Sequence, residues 1–435
     1  MLPFGRRELF RCHGRQPVIR PLCPQTIAAA LTLLVLGAGW SHASLSNSWT
    51  STTAAGATAN LEWREISSAA QAGPAPTLPS ARYGAAFADD PALGATLLFG
   101  GMWQYEISVY PYAIFEYLLN DTWTLSDGKW TNLTESGPSP PARWGASMAY
   151  DPALNGVVLF GGQTIVCRPL YCAIVTPLND TWLFSDDHWT NVTSQSPLRP
   201  PARYQASMVY DPAEGALVLF GGIQQPDGQA LNDTWELRGE AWSHVTDSRT
   251  PPARFGAAFG YDPQAGSTLL VGGSVYRGPS LVATTVPDAW SFSAGAWTNI
   301  TATETPAVAA TSALGFDLSA NLTLLWGAYG TGVWSFQAGQ WTAVRTLGSP
   351  PSRSEASFAC DATLQGCILF GGIATSGNGI TPVLGDAWLL TPSVNLPLSE
   401  IVVTALPVAS AIAGALFVTY LTRARGRSKK GMDPH

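Results

Sequence analysis

The residues best equipped to contact a ligand are aromatic and crowd into one stretch. Met102–Leu119 contains Trp103, Tyr105, Tyr110 and Tyr112, followed by Phe115 and Tyr117. Aromatic faces suit sugar rings or peptide partners. The same side chains could instead pack on one another, because a loop of 18 residues must bury something to be ordered. Sulfur chemistry is confined to two close pairs, Cys167 with Cys172 and Cys360 with Cys367. An even count in an exported domain points to two local disulfides. No histidine lies near either pair, so a metal site is not expected. His188 and His244 each sit beside a Trp, and no nucleophile, base and orienting acid occur together at a recognisable spacing. No catalytic residue, metal or cofactor is expected.

The elements that must position these residues are repeated. Arg82, Arg143, Arg203, Arg254 and Arg353 are each followed eight residues later by an Asp (Asp90, Asp151, Asp211, Asp262, Asp361). Ten residues after each Asp comes a Gly pair, beginning at Gly100, Gly161, Gly221, Gly272 and Gly371. A sixth copy keeps Asp317 and Gly327 but has Ala309 for Arg and Ala328 for the second Gly. The second half of each unit carries two Trp seven apart, such as Trp123 and Trp130 or Trp182 and Trp189. Each unit reads as four short strands in two hairpins. The Trp pair should lie close across the second hairpin. Apolar runs such as Val157–Phe160 suit strands buried on both faces between neighbouring sheets. The last unit ends at Asp386-Ala387-Trp388 without an outer strand, and Trp63-x-x-Ile66 is an orphan copy of that strand. The N-terminal strand is therefore expected to complete the last sheet and close the ring.

The Gly pair after an apolar strand, then Asn-Asp-x-Trp, then a second Trp resemble the kelch repeat family over residues 61–390. The resemblance implies an all-β, six-bladed β-propeller of four-stranded blades. It is weakly specific for function, since such propellers serve as binding modules, scaffolds and, less often, enzymes. The usual Gly-His-Ser of the innermost strand is replaced by sequences such as Gly145-Ala146-Ser147. In some kelch domains the matching Arg residues bind acidic partners, which makes the five Arg candidates for the binding face. They could equally pair with the Asp of Asn-Asp-x-Trp (Asp121, Asp180, Asp233, Asp288, Asp386), and the copy with Ala309 also has Gly332 for that Asp. An oxidase of this family would need copper held by His and Tyr, and sugar epimerases of this type could hide their chemistry in loops.

The loops between second and third strands vary, with Met102–Leu119 and Gln163–Leu178 the longest, and all should project on one face. Such a face is the candidate binding face. Seven Asn-x-Ser/Thr sequons occur. Asn132, Asn191 and Asn299 repeat at one place on the outer strand, and with Asn321 they are candidates for glycosylation; the copies inside Asn-Asp-Thr-Trp recur for turn chemistry.

Membrane signals are expected at both ends. Thr26–Trp40 is apolar behind five Arg and ends in Ser41-His42-Ala43, which reads as a signal peptide over 1–43 or an uncleaved anchor. A Ser/Thr/Ala-rich linker, 44–60, precedes the propeller. A second linker, 391–400, leads to the uncharged stretch Ile401–Leu421, long enough for a transmembrane helix, and a basic tail follows over 422–435. The propeller is expected outside the membrane with the C-terminus cytoplasmic. Between the end segments, residues 21–422 hold 13 basic against 28 acidic residues, which argues against nucleic acid. The expected partner is a protein or glycan at the cell surface. A glycan-acting enzyme and a structural envelope protein remain as alternatives.

Overall fold

Six four-stranded antiparallel sheets follow one another along the chain. The computed structural model describes residues 61–67, 78–107, 113–134, 137–168, 171–225, 227–277, 282–302, 305–306, 308–328, 332–374 and 382–393. All of them belong to one unit, Thr58–His435. Blade 1 runs from the inside outward as Ala86–Asp90, Ala95–Phe99, Thr122–Ser126 and Lys129–Asn132. Blade 2 repeats this with Ser147–Asp151, Gly156–Phe160, Thr181–Ser185 and His188–Asn191, and blade 3 with Ser207–Asp211, Ala216–Phe220, Thr234–Arg238 and Ala241–Val245. Blade 4 comprises Ala258–Asp262, Ser267–Val271, Ala289–Ser293 and Ala296–Asn299, and blade 5 comprises Val308–Asp317, Leu322–Ala328, Gly332–Gln337 and Gln340–Val344. Blade 6 takes Ser357–Asp361, Gly366–Phe370 and Ala387–Pro392 from the end of the domain and Leu61–Ser67 from its start. Each innermost strand touches the next, and that of blade 6 touches that of blade 1, so the ring is closed.

The closure is an antiparallel pairing in which Leu61 faces Pro392 and Trp63 faces Leu390. Thr346–Leu347 adds a short parallel pairing outside it. Second strands are apolar because both of their faces are covered by neighbouring blades: Ala95–Phe99, Gly156–Phe160 and Ala216–Phe220 are buried throughout. The repeated Asp makes the turn after the innermost strand. Asp90 Oδ1, for example, accepts the N–H groups of Ala92 and Leu93 at 3.0 and 3.2 Å.

The Gly pair locks blades together. Gly100 has φ +65°, and a β-carbon there would lie 2.7 Å from the Arg143 carbonyl oxygen of the next blade. Gly101 donates its N–H to that same oxygen at 2.9 Å. Only a residue without a side chain lets the two backbones meet so closely.

The two Trp of a blade lie diagonally across the second hairpin: Trp123 faces Asn132, and Trp130 faces Leu125. One expectation needs correction: the stretches between second and third strands are not open loops. Met102–Ile107 pairs with Ala113–Leu118, and Gln163–Arg168 with Tyr171–Pro177, as antiparallel hairpins. Blades 3 and 4 carry shorter versions, Ile223–Gln224 with Gln229–Ala230 and Ser274–Arg277 with Val282–Thr285. Alternating hydrogen-bonding strands satisfy backbone groups that a loop would leave to water. Among the described residues no helix is long and apolar enough to cross a membrane; the stretches 26–40 and 401–421 lie outside them.

Candidate functional site

The accessory hairpins all spring from the face where second strands end. Pro392 ends a third strand beside Gly366, at the turn side of blade 6, and Leu61 begins the strand paired with it there. The hairpin face is thus opposite Leu61 and Pro392.

On the blade 1 hairpin, the rings of Trp103 and Tyr117 lie 5.5 Å apart across the strands. Tyr117 is 53% exposed and Trp103 half-buried. Tyr105 belongs to the same strand and pairs with Phe115 through the backbone, but its side chain, like all of Tyr110 and Tyr112, lies outside the described residues. The backbones of Cys167 and Cys172 face each other in the blade 2 hairpin, with their side chains outside the described residues. Cys360 and Cys367 form a disulfide across the first hairpin of blade 6.

The five Arg are not part of this surface, which corrects their candidacy for the binding face. Each side chain is fully enclosed. Arg203 shows why. Its two terminal nitrogens grip Asp233 at 2.6 and 2.7 Å, one of them also reaches the Gly221 carbonyl at 2.8 Å, and Nε donates to Pro201 at 3.0 Å. The pairs Arg82–Asp121, Arg143–Asp180, Arg254–Asp288 and Arg353–Asp386 repeat the arrangement. Each Asp also accepts an indole N–H from the Trp two residues on, as Trp235 does to Asp233 at 2.7 Å. Burial acts to raise the pKa of Asp233, but the hydrogen bonds and charge of Arg203, with the Trp235 N–H, outweigh it and hold the carboxyl below its ordinary range. Asp121 and Asp386 are held down in the same way. Guanidinium groups committed to this many partners have little left for a ligand.

Just beyond each Arg the chain turns into the central mouth. The second residue after it has a left-handed backbone: Gly84, Gly145, Gln205, Gly256 and Glu355, with φ between 51 and 65°. These residues are stitched into a belt, with Gly84 N–H donating to the Glu355 carbonyl, Gly145 to Gly84, Gln205 to Gly145 and Gly256 to Gln205, at 2.7–3.0 Å. The belt rims a cavity of about 220 Å³, partly open to solvent, between the innermost strands. Trp144, Gln205 and Glu355 line it, above Ser147, Ser207 and Ser357. Those hydroxyls are used internally, each donating to a carbonyl of the following blade. Burial pushes the Glu355 carboxyl up to about 7. The triplets Arg-Tyr-Gly, Arg-Trp-Gly, Arg-Tyr-Gln and Arg-Phe-Gly were the available sequence signal for this rim, and Gln205 and Glu355 obscure it.

The remaining candidates lie away from the mouth. Asn132, Asn191 and Asn299 are exposed at the ends of outer strands, and each Oδ1 accepts the N–H of the Thr two residues on, at 2.8–3.0 Å. Those sequons therefore have a turn-forming reason to recur. Asn321 is exposed in the blade 5 turn with φ +53°. His188 bonds the Asp186 carbonyl, and His244 stacks edge-on against Trp235 at 5.0 Å. Among the described residues, no three His, Cys, Asp or Glu side chains converge closely enough to hold a metal ion.

Residues 97–313 match the KLHDC2/KLHL20/DRC7 Kelch-repeats domain. The chain is 30% identical over 176 residues to an adagio-like protein of Oryza sativa subsp. japonica, covering 37% of this chain and 25% of that protein. It is 31% identical over 129 residues to Dynein regulatory complex subunit 7 of Chlamydomonas reinhardtii, covering 29% of this chain and 10% of that protein. The chain thus spans a quarter or less of these curated relatives. The solved structure of YjhT aligns with a TM-score of 0.49 and 14% sequence identity, over 74% of this chain and 97% of that chain.

Proposed function

Because this chain belongs to the kelch-repeat family, we propose that it is a surface-anchored recognition module that binds a protein or glycan through its hairpin face. One observation carries the reading. Four consecutive blades extend accessory hairpins on the same side, and the blade 1 hairpin presents the Trp103–Tyr117 pair to solvent. A tilted aromatic pair on a stiff two-stranded support offers contact area at low entropic cost. The short opposite-face turns offer nothing comparable.

Anchoring is argued from the sequence. The uncharged run Ile401–Leu421 with its basic tail suits a membrane helix, and Thr26–Trp40 suits an export signal. The ten-residue linker 391–400 reaches at most about 35 Å. Since it begins at the turn face, the hairpin face points away from the membrane. A partner on the same surface, in a wall or on a neighbouring cell can then reach it. Binding is preferred to glycan chemistry because Glu355 is joined by no second carboxylate or histidine among the described residues lining the cavity, whereas acid–base catalysis on a sugar ordinarily uses two carboxyl groups.

The full-length chain in detergent should be screened against glycan and peptide arrays. Trp103→Ala with Tyr117→Ala should abolish the hits while leaving the melting temperature near that of the parent. Retained binding by that double variant, with loss on replacing turn-face Leu318 (67% exposed), would place the interface on the wrong side for this reading.

A further inference from the structure

We infer that the turn-face end of the ring's centre is a binding site for a quaternary ammonium group, held against Asp89 by walls that include Tyr210, Tyr261 and Phe316. This site is separate from the hairpin face and goes beyond the recognition reading above, on which it does not depend.

The geometry starts at the residue before each turn-forming Asp. It is Tyr150, Tyr210, Tyr261 and Phe316 in blades 2 to 5, Cys360 in blade 6 and Asp89 in blade 1. Each is half-buried beside its fully buried Asp. All but Tyr150 line one cavity of about 410 Å³, where the innermost strands meet their turns. That volume falls within the range of small-molecule sites, about 300–1,000 Å³. Leu314, Pro212 and Pro263 extend the apolar part of the wall. Cys360 is closed in its disulfide and brings no thiol. Blade 1 thus sets a carboxylate into a ring position that four successive blades fill with an aromatic.

The charge of the wall selects a cation. Asp361 adds a second carboxylate, and no Lys, Arg or His is among the described residues lining the cavity. The Asp361 oxygens are already engaged. Oδ2 accepts the Thr96 hydroxyl at 2.7 Å, and Oδ1 accepts the N–H groups of Thr363 and Leu364 at 2.7 and 2.8 Å. Its charge therefore remains while its acceptor sites are occupied. The backbone N–H groups of Ala362 and Asp90 stabilise the ionised form of Asp89, yet burial, and then the Asp361 charge, push its carboxyl up to about 7. A cation in the cavity would offset the cost of both charges. The kind of cation follows from the acceptors. A primary ammonium brings three donors, more than this largely apolar wall with one engaged carboxylate is built to satisfy. A quaternary ammonium brings none. Its charge is spread over methyl groups that pack on aromatic faces, and the nearby carboxylate supplies the counter-charge.

The test is a calorimetric titration of the full-length chain in a maltoside detergent at pH 8.5, where Asp89 is ionised. Choline should bind. Its neutral carbon isostere 3,3-dimethylbutanol, its primary-amine counterpart ethanolamine and methyl glucoside should each bind more weakly or not at all. Asp89→Asn should weaken choline about tenfold or more. Tyr261→Leu should weaken it about two- to fivefold. Tyr261→Phe keeps the ring and should bind like the parent, which separates loss of the aromatic wall from loss of the hydroxyl. Glycerophosphocholine distinguishes the sources of the ligand. Tighter binding than choline points to a lipid headgroup and weaker binding to a free solute, and either supports the site. No binding of choline, equal binding of dimethylbutanol, preference for ethanolamine or the glucoside, or an Asp89→Asn variant that binds like the parent would each overturn the assignment. The hairpin variant Trp103→Ala/Tyr117→Ala should bind choline normally, and loss of choline in it would place the cation on the wrong face.

Discussion

Trp189 of blade 2 donates its indole N–H to the hydroxyl of Thr122 in blade 1, across 2.9 Å. Trp242 does the same to Thr181, and Trp297 to Thr234. The rings add to the tie, since Trp189, Trp242 and Trp297 rest on Phe99, Phe160 and Phe220 of the preceding blade. Where the Thr is missing, the donor is stranded. Ala289 leaves Trp341 Nε1 buried without a partner among the described residues, and Val333 leaves Trp63 Nε1 so. Ala387 is partly replaced by Ser67, which takes the Trp130 N–H at 3.3 Å. Val333→Thr keeps the side-chain shape and supplies an acceptor, so it should stabilise the fold by about 1 kcal/mol. Thr122→Val should cost about 1–3 kcal/mol by stranding Trp189. Urea titrations of both variants check this; a lower midpoint for Val333→Thr would mean that the blade 5 contact differs from the others.

The Arg–Asp pairs should behave as buried ion pairs. Removing Asp233 leaves Arg203 enclosed with an uncompensated charge, so Asp233→Ala should lose about 3–5 kcal/mol. Replacing both, as Arg203→Met with Asp233→Leu, should recover part of that loss because no lone charge remains. A denaturation series on the single and double variants gives the coupling; additive losses would show that the pair is weak.

Legibility follows from what repetition can and cannot encode. The blade count, the turn-forming Asp, the Gly pair and the closure by Trp63 and Ile66 are readable because each recurs at fixed spacing or fills a visible gap. The fate of the Arg is not readable from spacing. It depends on whether Asp233 and its counterparts, 30 or more residues on, reach the guanidinium first. The Thr122–Trp189 tie joins residues 67 apart in different repeats, and nothing local announces it. The hairpin over Met102–Leu118 reads as a loop because its length was visible and its register was not. The mouth is obscured where Gln205 and Glu355 replace glycine, the very substitution that gives it a carboxylate.

Removing residues 61–67 should destabilise the whole ring rather than one edge. Leu61 and Trp63 are buried against Trp326, Leu369 and Leu390, and the strand supplies the outer edge of blade 6. Its loss exposes apolar surface and unpaired backbone along Ala387–Pro392. Thermal unfolding of the truncated chain should show a single transition several degrees lower. An unchanged midpoint would mean the strand is dispensable for closure.

The buried acid at the mouth predicts a distinctive pH dependence. Glu355 has its pKa raised from 4.5 to about 7. Folding therefore favours its protonated form. The stability associated with that form is fully present below the unfolded value and declines as pH rises toward 7, beyond which the loss levels off. Asp121, Asp233 and Asp386 act in the opposite sense, since their lowered values give stability that is lost only as pH falls through the acid range. The total profile mixes the two, so the informative quantity is the difference between Glu355→Gln and the parent. A neutral amide removes the desolvated charge but keeps the shape. The variant should match the parent near pH 4 and exceed it at pH 8, by up to about 1.4 kcal/mol for each unit the pKa is raised. Denaturant midpoints at both pH values measure this. A variant less stable than the parent at pH 8 would show that favourable contacts of the Glu355 carboxylate outweigh its desolvation.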